Sequence, residues 1–229
     1  MLISLLTSGN FVAAIAFMLA AVMSIVLHEL AHGYAAIRSG DITPKMYGRM
    51  TLNPVKHFDI FGFLMFALVG FGWARPVPVN PNNFKDFRKG LLFVSTAGVL
   101  TNLAIAFIVT PLITLLGGVT VPVDNRLAFH ALTFIYSFLH YTRMICLVLF
   151  VFNLIPIAPL DGFRIVEAVT KPYNAYRRFM YAYGQYMLIA FLVLIYLLAR
   201  PPVNINVIGV LSNLVATPLN WFWGLFGLA

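Results

Sequence analysis

Acidic residues are scarce in this chain: 229 residues hold seven aspartates and glutamates together, only two of them glutamates, Glu29 and Glu167. Charge of both signs amounts to 10% of the residues, against about 25% in an ordinary soluble domain. Hydrophobic residues make up 61%, so a water-soluble fold is excluded and lipid is the expected solvent. There is one cysteine, Cys146, inside an apolar run, which rules out a disulfide framework and a cysteine zinc knuckle and leaves it as a small core residue. No lysine or arginine precedes Arg38, so the basic region of a signal peptide is missing and the first apolar run is expected to be retained. Internal repeats, low-complexity segments and a soluble accessory domain are also missing. The formal charge of +8 does not form a stripe; the cations sit in loops between apolar runs, which argues for membrane topology and against a nucleic-acid partner.

What is present is a set of long apolar runs. Four, at 11–37, 91–116, 127–155 and 181–199, approach or exceed the roughly 20 residues a helix needs to cross hydrocarbon. The segment 40–89 differs, with Pro44, Pro54, Pro76, Pro78 and Pro81 and one brief apolar stretch, 61–73, too short to cross as a helix. It reads as a membrane-associated β-hairpin or re-entrant region, with Arg75-Pro76-Val77-Pro78-Val79 extended. The tail, 203–229, is apolar but broken by Pro218, and is expected to be a fifth span or an interfacial anchor. The fold expected is therefore an all-α polytopic membrane protein of four to five transmembrane helices, forming a single domain over 1–229.

Cations alternate by loop. Arg38, Lys45, Arg49, Lys56, Arg75, Lys85, Arg88 and Lys89 lie between spans one and two, but only Arg126 between two and three. Arg164, Lys171, Arg177 and Arg178 follow span three, and Arg200 follows span four. The positive-inside rule then puts the N-terminus outside and the first and third loops in the cytoplasm.

Within the first span stands Leu27-His28-Glu29-Leu30-Ala31-His32-Gly33. Two histidines four apart project from one helix face and can share a zinc ion, with the glutamate between them beside the metal. Zinc lowers the pKa of a coordinated water to about 7, and a neighbouring carboxylate can take its proton during attack on a carbonyl. Two histidines packed against a neighbouring helix are the plainer alternative, but that does not account for an intramembrane glutamate, which is expensive in lipid. A catalytic zinc needs a third protein ligand and one open position. Asp161 is the best donor: it follows two prolines that must interrupt span three, in Asn153-Leu154-Ile155-Pro156-Ile157-Ala158-Pro159-Leu160-Asp161-Gly162. Depth agrees, because His28 lies about 26 Å along the first span, near the cytoplasmic boundary that the end of span three also reaches.

These two motifs together resemble the site-2 protease family of intramembrane zinc metalloproteases. The resemblance extends to Gly48-Arg49-Met50-Thr51-Leu52-Asn53-Pro54, Lys56-His57-Phe58-Asp59, Arg75-Pro76-Val77-Pro78 and Ala97-Gly98-Val99-Leu100-Thr101-Asn102, so it spans roughly residues 25–162. It implies His28, His32 and Asp161 as zinc ligands, Glu29 as general base, and a transmembrane protein as substrate. The site is then placed towards the cytoplasmic side of a prokaryotic cell membrane. Val99 stands where the family usually has proline. Asn102 and Asn153 are candidate substrate-binding or oxyanion residues. No PDZ or CBS module fits.

A membrane metal-ion transporter or channel using the same side chains is the competing reading. Repeated halves, which many transporters show, are missing. A prenyl-protein-processing zinc protease is a third, and it would need a glutamate ligand in place of Asp161.

Overall fold

The structure is a computed structural model, described for residues 2–59, 61, 62, 65, 74–119, 125–172 and 174–228. A short helix α1 (Leu2–Thr7) leads into α2 (Phe11–Ser39), followed by the one-turn helix α3 (Thr43–Met46) and 3-10 turns at Pro54–Lys56 and Pro81–Asn83. Then come α4 (Phe87–Gly117), α5 (Arg126–Asn153), the short α6 (Asp161–Val169), α7 (Ala175–Leu198) and α8 (Val207–Gly224). Four of these, α2, α4, α5 and α7, are long and apolar enough to cross a membrane. The tail helix α8 is not among them, although its 18 residues reach about 27 Å.

The ends of the spans are set by caps rather than by the limits of the apolar runs. Asp86 accepts the Lys89 amide at 3.0 Å and Asn174 accepts the Arg177 amide at 2.8 Å. Each cap satisfies a first-turn donor, so α4 and α7 start upstream of their apolar runs and take charged residues into the first turn. At the other end of α2, Gly40 adopts φ 109°, a left-handed conformation that stops the helix and bonds back to the Ala36 and Ile37 carbonyls.

Helices α2, α4 and α5 pack on one another and form the core. Small residues make this close: Ala16, Ala20 and Ala36 of α2, Ala106 of α4 and Cys146 of α5 are fully buried. With hydrocarbon on the outside, close backbone approach at small side chains is what holds such helices together. Cys146 donates to Ser24 Oγ at 3.3 Å across the α2–α5 contact, in keeping with a core role. Arg143 of α5 donates to Thr110 Oγ1 of α4 at 3.0 Å and to Asn220 Oδ1 of α8 at 2.6 Å. Trp223 Nε1 donates to the Phe107 carbonyl at 2.9 Å. The tail helix is thereby tied to the core. By contrast, α7 buries almost nothing, and its small Gly184 abuts Ala158.

The β-hairpin expected in 40–89 is not supported by the structure. Among the described residues there is no strand, only a single antiparallel bridge between Phe58 and Ala74, beside an Arg75 amide to His57 carbonyl bond of 2.8 Å. The apolar stretch 61–73, expected to be re-entrant, falls almost entirely outside the described residues. The physical reason for the missing ladder is visible in 75–83. Pro76, Pro78 and Pro81 have no amide to donate, and side chains take several of the remaining backbone groups. Arg49 donates to the Arg75 and Pro76 carbonyls at 2.5 and 3.1 Å, Glu29 accepts the Val77 amide at 2.7 Å, and Asp41 accepts the Asn80 amide at 2.7 Å. The segment is a strap laid across α2.

Candidate metal centre

His28 and His32 stand one turn apart on the buried face of α2, 6% and 9% exposed. Asp161 arrives from a break in the chain: α5 ends at Asn153, residues 154–160 turn through Pro156 and Pro159, and Asp161 opens α6. Gly162 permits that turn, because a Cβ there would run into the Leu154 carbonyl and lie 2.5 Å from the Ile155 oxygen. The three potential ligand atoms form a nearly equilateral triangle. His28 Nε2 and His32 Nε2 are 3.0 Å apart, and Asp161 Oδ2 lies 3.3 Å from the first and 3.2 Å from the second.

That triangle passes a simple test for zinc. Ligands at about 2.05 Å in a tetrahedron are separated by about 3.3 Å, close to the observed edges, and three ligands leave one corner open. The hydrogen-bond pattern points the same way. His32 Nδ1 lies 2.8 Å from the Val94 carbonyl, which can only accept, so the proton is on Nδ1 and the Nε2 lone pair faces the triangle. On His28, Nδ1 lies 3.0 Å from the Asn102 side-chain amide, whose oxygen is buried without a partner. Turning that amide puts its oxygen on Nδ1, gives it a donor, and leaves His28 Nε2 unprotonated as a ligand must be. Asp161 Oδ2 is itself buried without a hydrogen-bond partner, as an atom reserved for a cation would be.

Glu29 sits between the two histidines, half-buried, with Oε2 fixed by the Val77 amide of the strap. Asn102 is fully buried and touches His28. Asn153 donates to the Leu149 carbonyl of its own helix at 3.0 Å. Glu167 is turned away into a separate network, accepting from Arg177 at 2.5 Å, Tyr181 at 2.6 Å and Arg164 at 3.0 Å. Burial alone would raise its pKa, but these donors outweigh it and hold the carboxyl below its ordinary value.

Sequence reasoning missed three contributors. Val94 supplies the carbonyl to His32. Gly98 leaves room for the imidazoles, since a Cβ there would strike His32 Nε2 and come within 2.6 Å of His28 Cε1. Asp41 is fully buried and holds the far end of the strap. A signal for the first two existed: Val94, Gly98 and Asn102 follow at intervals of four and so share one face of α4.

A polytopic helical protein whose three core helices enclose a His-His-Asp triangle next to a glutamate has the make-up of a membrane metalloprotease. Residues 16–198 match the family model for peptidase family M50, and the chain belongs to that family, the site-2 proteases. It is 43% identical over 173 residues to YwhC of Bacillus subtilis (strain 168), which is assigned as a zinc metalloprotease, covering 76% of each chain. Rip2 of Mycolicibacterium smegmatis, also assigned as a zinc metalloprotease, is 31% identical over 202 residues, which is 86% of this chain and 70% of that one. No solved structure matches. The protein is thus an integral, multi-pass membrane zinc metalloprotease, and the transporter or channel reading gives way to an enzyme.

Proposed function

We propose that this protein is an intramembrane endopeptidase that hydrolyses a peptide bond within the transmembrane segment of another membrane protein, near the cytoplasmic side. His28, His32 and Asp161 would hold the zinc, and Glu29 would act as general base. The observation that carries this reading is the triangle of ligand atoms beside a carboxylate that, among the described residues, is fixed through one oxygen.

When bound, zinc supplies a Lewis acid that polarises a carbonyl and acidifies water. The chain's own residues do the rest. Val77 orients Glu29 by occupying Oε2, which leaves Oε1 to take a proton from the attacking water and later pass it to the leaving amine. Val94 and Asn102 orient the imidazoles of His32 and His28, so Asn102 acts on a ligand rather than on the substrate. A helical substrate hides its carbonyls in hydrogen bonds and must unwind locally to react. The cytoplasmic placement rests on the cation-rich loop that joins α2 to α4.

Glu29→Gln tests the assignment. Zinc content should stay near stoichiometric because the ligand triangle is intact, while cleavage of a reporter transmembrane segment falls by at least about 100-fold, the scale of general-base catalysis. Turnover close to wild type in Glu29→Gln would remove Glu29 from the mechanism.

A further inference from the structure

Beside the strap, a cavity of about 450 Å³ is lined by Tyr47, Arg49, Val55, Lys56, Arg75 and Pro76, three of them cations. Among the described residues none of the three has an ion-pair partner, and the nearby Glu29 carboxylate is already engaged by Val77. Arg49 is only 7% exposed, yet its Nε has no acceptor. Burial and the charge of Arg75 pull its pKa below the ordinary value and outweigh the opposing pull of the Glu29 carboxylate, so positive charge dominates this corner. A buried guanidinium with a free donor facing two more cations is a site built for an anion.

The surroundings say which anion. Met46, Tyr47, Leu52 and Val55 stand exposed around the cations, Val55 at 79%. Exposed apolar side chains next to lysine and arginine mark a surface seated in the headgroup layer. The depth fits: the strap crosses α2 at Glu29 and Gly33, whose Cβ position lies 3.3 Å from Val77 Cγ1. That is about 27–33 Å from Phe11, where a hydrocarbon core about 30 Å thick ends.

We propose that this cavity binds the phosphate headgroup of an anionic phospholipid, with Arg49, Lys56 and Arg75 as its ligands. The bound headgroup also bears on catalysis, a consequence that rests on the Glu29 reading. Arg49 clamps the Arg75 and Pro76 carbonyls, and the next residue, Val77, holds the carboxylate. An anion that fixes Arg49 and relieves its repulsion with Arg75 therefore steadies the base.

The test uses purified full-length protein and reads lipid binding apart from activity. Native mass spectrometry should show phosphatidylglycerol retained in preference to phosphatidylcholine. Lys56→Gln and Arg75→Gln alter exposed side chains, and each should weaken that preference about five-fold, the effect of one cation near a membrane surface. Arg200→Gln, outside the cavity, should leave it unchanged. Equal retention of the two lipids, or unchanged preference in the Lys56→Gln/Arg75→Gln double variant, would overturn the site. Displacement of the lipid by millimolar inorganic phosphate would overturn the lipid as its occupant in favour of free phosphate, and saturable binding of an acidic peptide without lipid preference would overturn it in favour of a protein ligand. Turnover in phosphatidylcholine vesicles should rise when phosphatidylglycerol is added, and the double variant should lose that rise. A binding preference without the rise removes the link to Glu29, whereas turnover surviving in Glu29→Gln removes the base and leaves the binding result standing.

Discussion

Gly98→Ala adds a single methyl group to α4, in a helix interior where alanine normally stabilises by about 0.5–1 kcal/mol relative to glycine. Here the methyl has nowhere to go. Its carbon would strike His32 Nε2 and lie 2.6 Å from His28 Cε1 and 2.7 Å from His32 Cε1, so the His32 ring must recede by about 1 Å to reach ordinary contact. His32 cannot slide freely because its Nδ1 is bound to Val94, four residues earlier on the same helix as the new methyl. A metal site tolerates ligand displacement of about 0.2 Å, and misplacing reacting groups by about 1 Å costs about 100-fold in rate. Gly98→Ala is therefore expected to lower zinc content per folded protein and to cut reporter cleavage by about 100-fold. Gly117→Ala, at the end of the same helix, meets only Tyr136 at 3.7 Å and serves as the control, with both quantities unchanged. Zinc measured by mass spectrometry alongside a gel-based cleavage assay decides the matter. Full zinc and near-normal cleavage in Gly98→Ala would show that the imidazoles do not lie against α4 as described.

Asp161→Ala should lower zinc occupancy and abolish cleavage, while Glu167→Ala should leave zinc within a few-fold of wild type in folded protein and act on stability instead. Removing the Glu167 carboxylate strands Arg177, at a cost of about 3 kcal/mol, while the more exposed Arg164 adds little; thermal unfolding followed by light scattering measures it, and zinc loss confined to Glu167→Ala would move the third ligand there. The Asp41 carboxyl would be raised by burial, but donors from Thr43, Asn83 and Asn80 outweigh this and hold it below its ordinary 3.8. A depressed folded pKa means that its stabilisation is complete above about pH 4 and is lost as pH falls through the folded value. Melting profiles across pH 3–7 (about the range that spans this titration) should show wild type losing more stability below pH 4 than Asp41→Asn, and parallel profiles would count against the strap anchor.

How much of this was legible in sequence differs from one element to another. His28, Glu29 and His32 were readable because helical periodicity converts a four-residue spacing directly into a shared face. Asp161 was readable because Pro156 and Pro159 force a break whatever packs around it. The start of α4 at Phe87 and of α7 at Ala175 was missed for a local reason, since an apolar run stops at the first charge whereas a capped helix does not. Gly98 was quoted in a motif, but nothing local reveals that its missing Cβ is filled by two imidazoles from another helix. The strap was the least legible part. Its prolines read as extended chain, and an extended chain in a membrane protease invites the inference of an open edge. What decides otherwise is non-local: Glu29, Arg49 and Asp41 lie 26 to 48 residues from the backbone groups they bind. Proline has already removed half of the donors that residues 76–81 would offer a ladder, and Glu29 and Asp41 take two of the rest. The same contacts hold Val77 against the candidate base, so the strap that carries them is also what orients Glu29.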